Sequence, residues 1–548
     1  MNHSNVHQSD RLQQVFEYHQ ATKHQFQAYA SSPGYLDWAN QPDPFRRYAG
    51  ARLIPLETIE PTDAPRYDDV FNQQRMPAPE AVNGRTISQL FYDSLALSAW
   101  KSTGETRWAL RVNASSGNLH PTEGYLLSGP VEGLCDKPMV CHYSPSAHAL
   151  EVLAEFDTEL WNTLCSPFPV HTFFIGLTSI HWREAWKYGQ RAYRYCMHDA
   201  GHAMGAISMA AGGLGWQTRL LDDLGTDELA LLMGTFRDHD AEREEPDMLI
   251  ACVPDKRASN ETSLSEVSVL SFESLAWQGR PNQLSRSHVE WGIEDIASQV
   301  RKPRGECQYQ RFENPPLSRE PAARAVSLRG VIRQRRSAVV MDGKTRMSSD
   351  TFYRMLDRTL AVRGRTPFST LPWKSHIHLA LLVHRVDDIP KGLYLLVRDA
   401  DQTEALQQAL TQATPWQKPS GCPEQLPLYC LIESGTEAAA RQISCHQDIA
   451  SDGCFSLAMI AEYTEPLQRY GAWFYPRLYW EAGMIGQLLY LEAEAAGIRS
   501  TGIGCFFDDP MHEVLGLEDR NYQDLYHFTV GGPVEDTRLT TLPAYLNE

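Results

Sequence analysis

The sequence predicts one helix-and-strand domain present twice in a single chain, the two copies folded against each other as a covalent pseudo-dimer. Three observations carry this. Residues 187–219 and 469–501 align without a gap, and seven of the thirty-three positions are identical: Tyr188/Tyr470, Gly189/Gly471, Tyr193/Tyr475, Ala200/Ala482, Gly201/Gly483, Ala211/Ala493 and Gly215/Gly497. Each copy reads as a long helix with small residues for close helix contact, stopped by a C′ glycine (Gly215, Gly497) that feeds a strand. An irregular stretch rich in Pro, Gly and Ser separates the copies.

In chain order, residues 1–80 (GYLDWANQPDPFRRYAGARLIPL and its flanks) show little periodicity and read as an extension that wraps over the body and adds little chemistry. Residues 81–254 form the first copy, 255–326 the linker, and 327–548 the second copy. At 548 residues the chain exceeds the size at which a single core keeps growing, so two units are the default. Two like units in one chain suggest an intramolecular pseudo-dimer, with further homodimerisation open.

Composition narrows the class. Hydrophobic residues make up 42% and aromatics 10%, the profile of a globular enzyme. A net charge of -18 argues against nucleic acid, so any phosphate must be gripped locally. Eleven cysteines without a CxxC pair, and a start (MNHSNVHQSD) with neither a basic nor an apolar region, give the expectation of a reducing cytoplasm. The best apolar run, IHLALLVHRV at 377–386, carries histidines and Arg385, so no membrane span is expected.

Two polar constellations stand out, one per copy. In SLRGVIRQRRSAVVMDG, Arg335, Arg336 and Ser337, with Arg333, sit at an expected helix start, where guanidinium forks, a hydroxyl and free N–H groups can bind a phosphate, or simply form a solvated basic edge before a core helix. In RVNASSGNLHPTEGYLL, Ser115, Ser116, Gly117 and Asn118 form a turn able to hydrogen-bond a planar heterocycle or a sugar chain, or simply a polar turn before a strand. His120 faces the same pocket or belongs to the turn alone. Each copy lacks the other's set, so one complete site requires both. His198 and His202 lie one helical turn apart, but Asp199 stands where a metalloprotease needs Glu, and the second copy has Trp480 and Met484 there, so no metal is assigned. Cys505 reads as a small buried apolar residue. No GxGxxG after a strand and no GxxxxGK[ST] is present.

RRS, SSGN followed by Pro121, the KYG segment before a glycine-spaced helix, and STGIGCFF together resemble the FMN-dependent nitroreductase superfamily, in particular its SagB/ThcOx-type dehydrogenases, over residues 85–545. The resemblance implies an α+β fold of two nitroreductase-like domains in tandem that exchange arms and hold FMN at their interface. It implies that Arg335, Arg336 and Ser337 contact the flavin phosphate, ribityl chain and N1/O2 edge, that Ser115, Ser116 and Asn118 approach from the other half, and that Gly502, Ile503 and Gly504 turn a backbone N–H toward flavin N5. It further implies a second phosphate cation in Arg538, and proton transfer by Lys187 and Tyr188, although Arg469–Tyr470 repeats that pair where no site is evident, which leaves Lys187 as simply the charged start of a helix as the alternative. Val339 stands where the family often places another basic residue. The implied activity is an oxidoreductase passing hydride through N5 to or from a small organic or peptide-derived substrate, with NAD(P)H or oxygen as second substrate. A non-catalytic flavin-binding scaffold subunit of a modification complex is the alternative.

Overall fold

A computed structural model of the chain describes residues 3–60, 62–72, 74–238, 240–254, 263–305, 309, 324–362, 364–412 and 416–545. The two halves carry antiparallel sheets of the same strand order. In the first, the order across the sheet is Gln217–Leu220, Glu245–Val253, Phe173–Ser179, Thr122–Ser128, Met139–Ser144, Ala149–Glu155 and Arg52–Pro55. In the second it is Arg499–Ile503, Tyr522–Gly531, Phe455–Glu462, Ile377–Val383, Gly392–Leu396 and Leu428–Glu433. Most of these strands are buried along their whole length, because helices or the other half cover both faces.

The repeat seen in the sequence is the pair of long helices Ala192–Gly213 and Tyr475–Ala495, which pack on each other at the centre of the molecule. Nearly every residue of both is buried, so their apolar character runs around the whole circumference rather than along one stripe. Gly201 and Gly483 set the crossing point. A Cβ on Gly201 would collide with the Trp480 carbonyl, and one on Gly483 with the His198 carbonyl. Gly215 (φ +72°) and Gly497 (φ +74°) follow the two helices in left-handed conformation, and each chain then enters the edge strand of its sheet. The duplicated α+β architecture is as the sequence predicts.

Arms cross between the halves. The C-terminal strand Thr540–Leu542 pairs with Leu97–Ser102 of the first half, next to Arg107–Arg111. Tyr545 accepts from Leu97 N–H at 3.0 Å and donates to the Pro145 carbonyl at 2.8 Å. A buried Asp508 carboxylate receives Arg194 at 2.6 Å and Arg191 at 2.9 Å, and both guanidiniums also donate to the Thr22 carbonyl. Those two arginines hold its carboxyl far below the ordinary carboxylate range.

Two segments are more ordered than their composition suggests. The first 80 residues contain the helix His3–Ala21 and supply the edge strand Arg52–Pro55 of the first sheet. Within 255–326, residues 263–305 hold the helices Glu266–Leu270 and Ile293–Gln299 and a strand, Arg280–Pro281, paired with Tyr48–Ala49. Pro and Gly mark where regular elements stop, yet a segment lying against a large body still buries apolar side chains such as Val15, Val269 and Ile296. Among the described residues, no helix is long and apolar enough to cross a membrane.

Candidate active site

A cleft of about 470 Å³ opens where the halves meet, a volume in the range of small-molecule sites. Ser115, Ser116, Asn118 and Tyr188 line it from the first half, and Arg335, Arg336, Ser337, Gly502, Ile503 and Gly504 from the second. Residues 147 positions apart in sequence even in the nearest case, Tyr188 to Arg335, therefore share one wall.

The Ser115–Asn118 turn is held from behind. The Asp199 carboxylate, on the first long helix, accepts from Ser116 N at 2.9 and 3.1 Å and from Ser116 Oγ at 2.9 Å. Ser115 Oγ accepts from His120 N at 2.8 Å, and Asn118 Nδ2 donates to the Ala109 carbonyl at 2.9 Å. Ala114 N–H donates to Gln487 Oε1 of the second long helix at 3.2 Å, which ties the turn to the other half. Gly117 adopts φ +56°, and a Cβ there would meet Tyr188 Oη at 2.5 Å and Lys187 Nζ at 3.0 Å. The Lys187–Tyr188 pair thus lies directly on this turn: Tyr188 lines the cleft, and Lys187 Nζ lies 5.1 Å from the Tyr188 ring centre. Asn113 lines the cleft, and its Oδ1 is buried with no hydrogen-bond partner among the described residues.

Positive charge concentrates at one end. Lys101, Arg335, Arg336 and Arg499 all line the cleft. Burial and the neighbouring guanidiniums of Arg335 and Arg333 bring Arg336 down to about 10, and burial followed by Arg336 lowers Lys101. Arg335 is buried; it donates to the Arg111 carbonyl at 2.9 Å and the Val112 carbonyl at 3.1 Å, and lies 5.0 Å from the Tyr490 ring centre. Arg336 donates to the carbonyls of Arg335 (2.7 Å), Arg333 (2.9 Å) and Ser98 (3.3 Å). Among the described residues, neither arginine nor Lys101 is ion-paired with a carboxylate, whereas Arg499 pairs with Glu535 at 2.7 Å. Four crowded cations with one acidic partner favour an anion between them.

Buried acid groups lie behind the Ser115–Asn118 turn. Burial lifts Asp199 to about 7 against the Ser115 and Ser116 hydrogen bonds that pull it down. Glu184 is buried and has no hydrogen-bond partner among the described residues, and burial followed by the Asp199 charge raises it well above the usual carboxylate range. The repeat makes Asp199 informative. Its counterpart Glu481 accepts from the buried guanidinium of Arg398 and from His376 N at 3.0 Å, while among the described residues Asp199 is ion-paired with no cation. Tyr188 is raised well above the tyrosine range by burial and then by Glu184, so its phenol keeps its proton.

Four sequence expectations change. Arg538 lies outside the cleft: its side chain is 86% exposed and pairs with Asp536 at 2.8 Å, because the arm after Pro533 runs over the rim. Gly502 N–H is already directed to Tyr490 Oη at 2.9 Å, and Ser337 Oγ donates to the same phenol at 3.0 Å. Tyr490 therefore joins the RRS and GIG segments, a link invisible in sequence because the residue is one more apolar position of a buried helix. Arg335–Ser337 follow the helix Leu328–Gln334 rather than opening one, with Arg335 at its C-terminal end, so the N–H groups of a helix start are not what they offer. Cys505 is partly exposed and faces the cleft. Lys101 and Arg499 were missed since each reads alone as an ordinary strand cation. Val339, where a basic residue was missing, is 77% exposed at the rim, and these two cations bring positive charge to the cleft instead.

His198 stacks on Tyr526 at 4.2 Å, and His202 approaches Tyr526 Oη at 3.2 Å and Gln487 Oε1 at 3.3 Å. Burial lowers His198 well below the histidine range and His202 to about 3, so both are neutral packing groups.

Residues 396–532 match the family model described as Nitroreductase family. Over 95% of this chain and 99% of the other, the structure superposes on a solved protein of Anabaena variabilis ATCC 29413, itself provisionally assigned as a nitroreductase, with a TM-score of 0.69 and 19% identity. The fold is nitroreductase-like. Shorter alignments reach the E. coli microcin synthetase McbBCD complex with truncated pro-MccB17 bound (19% identity, 45% of this chain and 93% of that one, TM-score 0.28) and an oxidoreductase containing FMN (14% identity, 41% and 84%, TM-score 0.19). No curated protein matches the chain. The nitroreductase-like fold spans both halves, and the cleft lies where they meet.

Proposed function

We propose that this chain is an FMN-dependent oxidoreductase of the SagB/ThcOx type, acting on a small organic or peptide-derived substrate. The observation that carries it is the cleft built from both halves, lined by Lys101, Arg335, Arg336 and Arg499 and by the Ser115–Asn118 turn. The groups present fit the coenzyme. Lys101, Arg336 and Arg499 supply the charge a phosphate needs, Ser115, Ser116, Asn118 and the unpartnered Asn113 Oδ1 supply hydrogen bonds for a heterocycle edge and a polyol, and Ser337 adds a hydroxyl. Bound FMN supplies a two-electron hydride acceptor or donor at N5.

The chain's own residues do the rest. Arg335 keeps the two halves in register through the carbonyls of Arg111 and Val112. The backbone of Gly502, Ile503 and Gly504 forms a wall on which a flat ring can lie, with Gly504 carbonyl fixed by Tyr195 Oη at 3.0 Å. Tyr188 holds a proton at Oη against the turn, and the Lys187 ammonium beside Gly117 orients it or exchanges that proton with substrate. Trp108, Leu110, Val339, Val534 and Leu539 give the rim an apolar lip that excludes water from an organic substrate. The test is anaerobic: purified, flavin-loaded chain is mixed with NAD(P)H and with a panel of dehydrogenation substrates, and the band near about 450 nm is followed. Bleaching by one member and recovery in air is the expected result. A band that no reductant bleaches leaves the scaffold reading, and a chain without the band removes both.

A further inference from the structure

The loop after the helix Glu437–Ile443 and the loop after the strand Arg499–Ile503 bring two thiols together at the side of the cleft. Cys445 Sγ and Cys505 Sγ are 2.9 Å apart, sixty residues distant in sequence, and each is partly exposed. Their approach is fixed from both sides. Phe507 N–H donates to the Ile443 carbonyl at 2.8 Å, and Gln447 Nε2 donates to the Cys505 carbonyl at 2.9 Å. Cys445 (φ +52°) and His446 (φ +59°) are consecutive left-handed residues, a conformation without glycine that stores strain and turns the first thiol onto the second. Cys505 and Gln447 line the cleft itself.

We propose that Cys445 and Cys505 form a redox-active dithiol in the cleft wall, which a small peroxide oxidises to an intramolecular disulfide. The surroundings divide the two roles. The hydrogen bond with Cys445 and the Arg191 guanidinium lower the Cys505 thiol, while the same bond and burial raise Cys445. Asp508, ion-paired to Arg191, and the phenols of Tyr29, Tyr188 and Tyr195 are titratable groups beside the pair. The Cys505 thiolate attacks a peroxide oxygen; an S–O bond forms, the O–O bond breaks, and the departing hydroxide takes a proton to become water. Cys445 sulfur then attacks the sulfenic sulfur; the S–S bond forms, the S–O bond breaks, and a second water leaves carrying the Cys445 proton. Two electrons pass from the dithiol to the peroxide, and the balance closes with one peroxide and two waters. The bond would join the two loops across one side of the cleft, whatever the cleft holds.

The test uses the full-length chain, reduced, freed of reductant, and treated with equimolar hydrogen peroxide. Non-reducing digestion should yield one cross-linked species containing Cys445 and Cys505, the intact mass should fall by about 2 Da, and two of the eleven thiols should be lost. Dithiothreitol should restore all of them. In C445S, Cys505 should stop at a sulfenic acid that dimedone traps. The proposal fails where the 445 and 505 peptides stay reduced while other cysteines react, or where Cys505 of the native chain passes to sulfinic acid without cross-linking.

Discussion

Arg336 directs its donors to the carbonyls of Ser98, Arg333 and Arg335 and pairs with no carboxylate among the described residues, a costly arrangement for a half-buried guanidinium unless an anion completes it. A charge-assisted contact contributes about 1.5–3 kcal/mol, so Arg336→Ala should loosen FMN by roughly ten- to a hundredfold, measured by fluorescence titration. Tyr188→Phe keeps the ring on the turn and removes only the proton; turnover should fall at least about tenfold with flavin still bound, read by steady-state rates beside the 450 nm band. Asp199 makes a prediction about pH. Its folded value of about 7 lies above the unfolded 3.8, so the stability it contributes is full below about pH 4 and is lost as pH rises through 7. Asp199→Asn keeps the acceptor oxygen for Ser116 and cannot ionise. Relative to the native chain its Tm should therefore rise from pH 4 to pH 7 and level off above, and a pH-independent difference would show that Asp199 does not titrate in this window.

The long helices explain why part of this molecule is legible in its sequence and part is not. Gly201, Gly483, Gly215 and Gly497 could be read because backbone approach and left-handed conformation admit few other residues, and the structure uses each for that purpose. Gly201→Val should push Trp480 away and lower the Tm by several degrees, since overpacking at a close crossing costs at least about 1–3 kcal/mol; unchanged melting would mean the helices do not cross there. Asp199 was hidden by its neighbours: between two histidines it resembles a failed metal helix, and only the fold shows Ser116 above it. Tyr490 was hidden by burial, and Lys101, Arg499 and Cys445 because their meaning arises from strands and loops that meet only after folding. The ordered parts of the first 80 residues and of 263–305 were missed for a related reason, as their stability comes from the body they lie on and not from local periodicity.

At the scale of the whole chain, the two halves differ around their related Lys187–Tyr188 and Arg469–Tyr470 pairs. Around the second copy's Arg469–Tyr470 pair, Tyr309, Trp373 and Phe474 pack ring against ring, and Arg477 pairs with Asp222, to which Tyr309 also donates. The Thr540–Leu542 strand and the Arg191–Arg194–Asp508 cluster hold the halves in the one orientation that joins Ser116 to Arg336 across the cleft. FMN retained after exhaustive dialysis, determined per chain for the native protein, Arg336→Ala and Ser116→Ala, tests this most directly. The native chain should keep close to one flavin, and each substitution, though placed in a different half, should lower that figure; two flavins per chain, none, or full retention in both variants would contradict a single cleft assembled from the two halves.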